Sequence, residues 1–517
     1  MISSRSLSPN RIIALVCIAI FIGAMDLTVA SAFLPQVVVD FELSTQQFAL
    51  AGWVVTMYLA AYAVSMTFAG RLSDLHGRRP AYLVCLIIFI AGSILVALTR
   101  TPGLQPSFSL EWLVVSRVIQ ALGAGAMVPV SMALVGDLYP PARRATPLGI
   151  IAAVDTAGWV VGHLYGGIMI RLFTDWRLIF WLNVPIGLLA FALCWRALRE
   201  VPQQKHAGKL DLIGAVLIGL ALAAFNIAVG SGAEAGTTSQ FVEQTTPAYQ
   251  VPLLIVAISA FVAFIFRELR AGRAGHEEQP LLDLRLFKQK TFSGAALVNL
   301  GVGFALIVAL GVVPLFINAV VASSMPNATA AQILSDGAWY TGWVLSALTV
   351  TMALMSVFIG RIINRFGYRA PTLLGLLIAA IGFFITSRWD VNTTYWQMIP
   401  GLLVAGLGFG MVLAPIATAV VNSAPSEERG VASALVIILR LVGMSLGGSI
   451  ALSWGTQRVQ TLSAELAAGQ SQFAVDTLAI FRQATAQAVA ESFLLFAVTA
   501  CLVALLPALL MRSNQAN

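Results

Sequence analysis

Four ionisable side chains interrupt long apolar runs: Asp26, Arg117, Asp155 and Arg440. A charge in hydrocarbon costs roughly 2.5–3.5 kcal/mol on insertion scales, so such groups face a cavity or one another. Asp155 and Arg440 stand 285 residues apart. One brings an acid and the other a base, and an ion pair between them would weaken whenever the acid took up a proton. That is proton-coupling chemistry. A static pair that only pins two helices is the plainer role. Asp26 is expected nearby as a second acid. Arg117 lies one short helical step from Gln120. Read from the residues alone, the plainer role is an arginine tied to backbone carbonyls of neighbouring spans.

Two further groups carry a pattern. Residues 70–80 read GRLSDLHGRRP, with Gly70, Asp74, Gly77, Arg78 and Arg79 as the notable positions. The glycines let a connecting loop turn tightly. Its charges can pair with the ends of neighbouring helices, whereas Asp74 adds nothing to a simple positive anchor. Gly158, Gly162 and Gly166 recur every four residues, followed by Gly167. Such spacing makes a smooth face for close helix approach, either as ordinary packing or as a contact that seals a cavity. His163 lies among them and can titrate or satisfy a local hydrogen bond.

No enzyme site emerges. The four histidines are scattered, and Gly301 and Gly303 sit in an apolar run with no strand before them, unlike a dinucleotide fingerprint. Cys17, Cys85, Cys194 and Cys501 all fall in apolar runs and suggest neither a disulfide framework nor a metal site. No metal and no cofactor are expected, only a proton gradient.

The elements that must position these residues follow from composition. Of 517 residues, 59% are hydrophobic and 10% charged, against about 25% charged in a soluble domain. A soluble, disordered or disulfide-stapled chain is excluded. Fourteen runs approach the roughly 20 apolar residues that span a bilayer. They lie near 12–38, 48–69, 80–99, 111–136, 146–170, 178–198, 211–230, 251–269, 291–321, 338–359, 371–387, 396–421, 429–454 and 491–511. Lipid offers the backbone no hydrogen-bond partner, so each run is a helix. Outer-membrane strands would alternate apolar and polar residues instead. The fold class is an all-α polytopic membrane protein.

Alternate loops divide the charge unevenly. Twenty-two of the 30 basic residues fall on the side of both termini, and positive charge stays cytoplasmic. This accounts for the net charge of +7 without nucleic acid. Arg5 and Arg11 imitate the start of a signal peptide, but the run continues through Asp26 to Val39 with no small-residue cleavage site.

The chain also repeats itself. At an offset of 290, Gly70, Arg71, Gly77 and Arg79 match Gly360, Arg361, Gly367 and Arg369. At 285, Gly123, Arg144, Gly158 and Gly162 match Gly408, Arg429, Gly443 and Gly447. Two six-span halves of like orientation are expected, 1–200 and 286–517, with an inserted pair of spans and a basic cytoplasmic connector at 201–285. Asp155 and Arg440 then occupy equivalent places on facing helices near the pseudo-twofold axis. Residues 455–490 have helical spacing at Val459, Leu462 and Leu466 and no proline. They predict an outward helical hairpin turning near Gly469, with Gly455 as its weak point.

At these residues the sequence resembles the major facilitator superfamily, in its fourteen-span drug:proton antiporter branch. The loop motif is Gly70, Asp74, Gly77, Arg78 and Arg79, with Leu75 where a basic residue is common. The first-span pattern runs from Met25 to Pro35, and the fourth-span motif is Arg117, Gln120, Gly123 and Gly125. DWRLIFWLNVPIG covers Asp175 to Gly187. The antiporter motif is Gly158, Gly162, Gly166 and Gly167, with His163 in place of its proline. GWVVTMYLAAY at 52–62, GHLYG at 162–166 and GVASALVIILRLVGM at 430–444 are similar to the mycobacterial triacylglyceride exporters.

The resemblance implies two bundles that rock about a central cavity, and a proton relay at Arg117 and Gln120. It also implies a latch at Asp74. The activity implied is proton-coupled export of hydrophobic or amphiphilic molecules, lipid or drug, through a bacterial cytoplasmic membrane. Membrane lipids and a periplasmic or extracellular lipoprotein are the implied partners, and the exporter is expected to be a monomer. A general multidrug pump without a lipid role and a nutrient uptake symporter are the rival readings. The glycine motif at 158–167 argues against the symporter.

Overall fold

The computed structural model describes residues 8–42, 48–99, 109–173, 175–199, 201, 211–233, 249–271, 284–321, 330–468 and 476–511. Among them are fourteen long helices and no strand. The first half contains α1 (Pro9–Asp40), α2 (Phe48–His76), α3 (Arg78–Ala97), α4 (Leu110–Leu138), α5 (Ala145–Phe173) and α6 (Arg177–Leu198). Then come the inserted α7 (Leu212–Ala233) and α8 (Gln250–Ala271). The second half contains α9 (Lys290–Phe316), α10 (Ala330–Phe366), α11 (Arg369–Thr386), α12 (Tyr395–Ser423) and α13 (Arg429–Ala468). The last span, α14, covers Thr477–Ala508 and includes a π-helical turn at Phe493–Val498. Thirteen of these are long and apolar enough to cross a membrane; the apolar stretch of α7, Ile213–Val229, is shorter. Most of the connector at 272–283 and the turn at Gly469 lie outside the described residues.

Each half repeats the same contacts. In the first, Gly158 and Gly162 of α5 lie against α1, where a Cβ on Gly158 would stand 2.7 Å from the Ala24 Cβ. In the second, Gly443 and Gly447 of α13 lie against Leu300 and Phe304 of α9. Two seams join the halves. Along one, α2 meets α13, with Gly70 backed onto Gly430; along the other, α5 meets α10, with Gly149 against Ser356 and Gly360 against Thr146. The Gly70, Gly149 and Gly360 contacts lie toward the cytoplasmic ends, which are therefore closed against each other. The α5–α10 seam also touches near its outer end, where Gly342 meets Leu164.

The expected loop at 70–80 is mostly helix. Gly70 and Asp74 belong to the last turns of α2, and Arg78 and Arg79 open α3. Only Gly77 is non-helical, at φ 98°, a value that glycine adopts without steric cost. Gly367 does the same between α10 and α11, at φ 69°. The helix outruns the apolar segment because Arg71, Ser73 and Asp74 are buried among other helices, so polarity there does not mean solvent.

The inserted pair lies over the α2–α13 seam. Gly219 of α7 sits against Val64 and Phe68 of α2, while Ser445 of α13 donates to Asn226 Oδ1 at 2.8 Å. Ser449 donates to the Val229 carbonyl. Helix α8 packs on α7, and Arg267 joins it to Asp211 at 2.8 Å.

Helix α13 runs 40 residues without a break, through Gly455, to Ala468. At 1.5 Å per residue that is about 60 Å, roughly twice the hydrocarbon core. Its outer part pairs with α14: Leu462 packs with Ala484 and Ala488, and Arg458 reaches Glu491 at 2.7 and 3.0 Å. Arg482 ties the hairpin to the end of α9 through the Val320 carbonyl at 3.2 Å.

Three turns into α13, the backbone of Arg440 presses on Gly303 of α9. A Cβ there would stand 2.0 Å from the Arg440 carbonyl oxygen. Overfilling a packed site costs about 1–3 kcal/mol. Gly303→Ala is therefore expected to lower the melting temperature of the purified protein. It should also displace the backbone at Arg440. A variant with wild-type melting would refute the close crossing.

Candidate functional site

Two buried charge clusters and one cytoplasmic cluster contain the charged residues singled out above, except Arg79. In the first, Asp26 of α1 and Arg117 of α4 are both fully enclosed, with Arg117 Nη1 2.5 Å from Asp26 Oδ2. Arg117 and Gln120 share one face of α4 because residues three apart are neighbours on a helix. Arg117 donates to Gln120 Oε1 at 2.7 Å; Gln120 donates to Asp26 Oδ1 at 3.0 Å and to Ser93 at 2.9 Å. Asn183 of α6 donates to the same carboxylate oxygen at 3.0 Å. The guanidinium lies 4.0 Å from the Tyr58 ring centre and 5.5 Å from that of Phe180. Desolvated cation–π contacts of this kind contribute about 2 kcal/mol. Asp26 thus has its own counter-ion. Its cation comes from α4 of the same half, directly opposite α1. The hydrogen bonds of Arg117 include the Asp26 carbonyl at 3.3 Å, but the carboxylate is its main partner.

The second cluster joins the halves. Arg440 Nη2 donates to Asp155 Oδ2 at 2.6 Å, and both side chains are nearly free of solvent. The guanidinium lies 5.0 Å from the Trp159 ring centre, one helical turn beyond Asp155. Tyr58 and Tyr62, stacked one turn apart on α2 at 6.0 Å, stand between the two clusters. Tyr58 borders Asp26 and Arg117, and Tyr62 lies within electrostatic reach of Asp155 and Arg440. Below the pair, toward the cytoplasm, is a partly open cavity of about 30 Å³, lined by Asp155, Arg440, Asn299 and apolar side chains of α4, α5, α12 and α13.

The third cluster sits at the cytoplasmic end. Arg78 donates to Asp74, to Ser73 at 2.8 Å and to Asp137 of α4 at 2.9 Å. Asp74 accepts from the backbone N–H groups of Gly430 and Val431, at 3.2 and 3.3 Å, in the first turn of α13. Helix N-termini present unpaired N–H groups and a positive dipole end, so a carboxylate belongs there. Arg429 reaches Asp137 at 3.3 Å, and Arg144 donates to Asn422 at 2.8 Å. These two bonds are equivalents under the 285-residue repeat. Burial, and then the Arg429 guanidinium nearby, bring Arg144 down to about 10, which leaves it charged at neutral pH.

Arg79 stands apart: it stacks at 5.8 Å over Trp195 of α6. Gly158 and Gly162 seal α5 to α1 within one half, not half to half. Gly166 is buried and Gly167 half-buried on the same helix, and the side chains of His163 and Asn364 lie outside the described residues. Helix α5 continues unbroken past His163. Among the described residues no group of His, Cys, Asp or Glu could hold a metal ion. The sequence reasoning missed Asp137, Asn183, Asn299, Tyr58 and Tyr62. Asp137 and Asn422 were detectable, because they stand 285 residues apart and precede Arg144 and Arg429 by seven residues.

Comparison with known proteins agrees with this architecture. The family model of the Major Facilitator Superfamily matches residues 16–448 and 316–516. A triacylglyceride transporter of Mycobacterium tuberculosis (strain ATCC 25618 / H37Rv) is 33% identical over 462 residues, covering 87% of this chain and 83% of the relative. One of Mycolicibacterium smegmatis is 30% identical over 492 residues, covering 93% and 82%. Among solved structures, the human organic anion transporter MFSD10 superposes with a TM-score of 0.59 at 15% identity, over 98% of this chain and 100% of that one. The proton:xylose symporter XylE gives 0.56 at 17%, over 93% and 94%. With its two like six-helix halves, inserted pair and family match, this chain is a multi-pass membrane transporter protein belonging to the major facilitator superfamily.

Proposed function

We propose that the chain is a proton-coupled exporter working by alternating access, with triacylglyceride-like lipids as its substrate class. The observation that carries this reading is the Asp155–Arg440 ion pair, buried across the interface of the two halves. A charged Asp155 holds α5 to α13 and helps keep the cytoplasmic ends together. A protonated one replaces a charge-assisted bond by a weaker neutral one, and the halves are freer to rock. The names of the relatives support a lipid, and the long outer hairpin of α13 and α14 is a suitable wall or lipoprotein dock for a molecule leaving the membrane. The exporter works as a monomer in a bacterial cytoplasmic membrane, drawing on the proton gradient alone.

The test is flux in reconstituted vesicles with an imposed pH gradient, comparing a fluorescent triacylglyceride with a cationic dye. Gradient-dependent lipid movement is expected. Dye movement without lipid movement would replace the lipid reading by a general multidrug pump, and gradient-independent flux would remove the proton.

The cytoplasmic cluster makes a separate prediction. Asp74→Asn weakens a charge-assisted contact worth about 1.5–3 kcal/mol and should shift the protein at least tenfold toward the cytoplasm-open form. Spin labels at the exposed positions Arg143 and Glu427, one in each half, read this as a longer distance component. An unchanged distance distribution would show that Asp74 does not latch the two halves.

A further inference from the structure

Three buried polar atoms near the ion pair have no protein partner: Asp155 Oδ1, Arg440 Nε and Asn299 Oδ1. All three residues line the same cavity, whose other walls are apolar. A water needs roughly 10–15 Å³ of such space and about two to four polar partners; the cavity offers about 30 Å³. The chemistry of the three atoms is complementary to one water molecule. Two are oxygen acceptors and one is an N–H donor, while water donates two hydrogen bonds and accepts others. The orientation of the Asn299 amide follows from its other end, whose Nδ2 donates to the Val436 carbonyl at 2.7 Å, leaving Oδ1 as an acceptor. An unpaired buried polar group costs about 1–3 kcal/mol, so three together favour a shared occupant.

We infer that this cavity is a water site, in which one ordered water bridges Asp155 Oδ1, Arg440 Nε and Asn299 Oδ1. Asn299 is then a positioning residue that acts on Asp155 through this water. The site lies one turn to the cytoplasmic side of the pair, since Ile151, Ala152, Val436 and Ile437 line it. The water is thus the first carrier on the route by which a proton leaves Asp155 for the cytoplasm. The transfer moves one proton from the carboxyl to the water and leaves the carboxylate paired with Arg440. The charged or titratable groups facing Asp155 are Arg440 from α13 and Tyr62 from α2; the cavity walls from α4, α9 and α12 add none.

The transport role rests on the proton-coupling reading above, but the water site does not, and the test separates them. A structure of the full-length protein at a resolution that shows ordered water is expected to hold one peak within hydrogen-bond reach of the three atoms. No such peak overturns the inference, even if Asp155→Asn still uncouples flux from the gradient. Asn299→Leu removes an acceptor, and Ala417→Leu fills the cavity without touching any of the three atoms. Both should lose the peak. Both should also lower the ratio of gradient-driven flux to gradient-free substrate exchange about tenfold, the effect of one hydrogen bond to a charged group. A purely structural role would lower both fluxes together. Peak loss with an unchanged ratio overturns the positioning role, and a peak in a protein whose flux ignores the gradient overturns only the proton reading.

Discussion

Arg440→Ala is expected to destabilise the cytoplasm-closed form by about 3–5 kcal/mol, because it strands the Asp155 carboxylate in a site where, among the described residues, no other cation is in contact. Proton-driven flux should vanish, since neither protonation state of Asp155 then has a partner to release. Asp155→Asn alone should keep the fold and abolish dependence on the gradient. The double variant Asp155→Asn with Arg440→Ala separates charge from packing: removing the stranded acid should restore most of the lost stability without restoring coupling. Thermal melting gives the stability side of this cycle, and vesicle flux with and without a pH gradient gives the other. If all three variants melt alike, the pair contributes little and the interface is held by its close-packed glycines instead.

The second large effect lies within the first half. Arg117→Met keeps an unbranched apolar stem but leaves Asp26 fully enclosed without its cation. The loss should again be about 3–5 kcal/mol, with the aromatic contacts to Tyr58 and Phe180 forfeited as well. Asp26→Asn is expected to be costly too, because it leaves the enclosed Arg117 without a counter-ion, and the N–H groups of Arg117, Gln120 and Asn183 then share one amide oxygen. Expression level and melting temperature should therefore fall in both variants. Wild-type melting in either would mean that the pair contributes little. Flux distinguishes the cluster's role: a gradient-dependent rate that survives Asp26→Asn leaves the coupling to Asp155 alone.

Much of this architecture was legible from spacing. The fourteen apolar runs, the two halves and the juxtaposition of Asp155 with Arg440 all follow from span length and one numerical offset, because a repeated bundle places equivalent residues about a common axis. The sequence did not reveal the partner of Asp26, because Arg117 lies on a helix of the same half, where no repeat relation points to it. Gly70 to Arg79 was misjudged as a loop for a related reason. Hydropathy treats a polar run as solvent-facing, whereas Asp74 is polar in order to meet the N-terminus of α13. Asn299 carried no signal at all: a lone amide in an apolar run acquires meaning only once the atoms around it are known.

The unbroken length of α13 has a mechanical consequence. One rod carries the Asp74 contact at its base, Arg440 about 11 residues on, and the outer hairpin at its tip. From residue 440 to Ala468 is about 42 Å at 1.5 Å per residue. Pivoting the rod by roughly 10° there would sweep its far end through about 7 Å, more than the width of an acyl chain. Under the proposed proton coupling, a protonation event at the pivot would be geared up into a stroke outside the bilayer, and a flexible hinge introduced at Gly455 would disengage the gear while leaving the pivot intact.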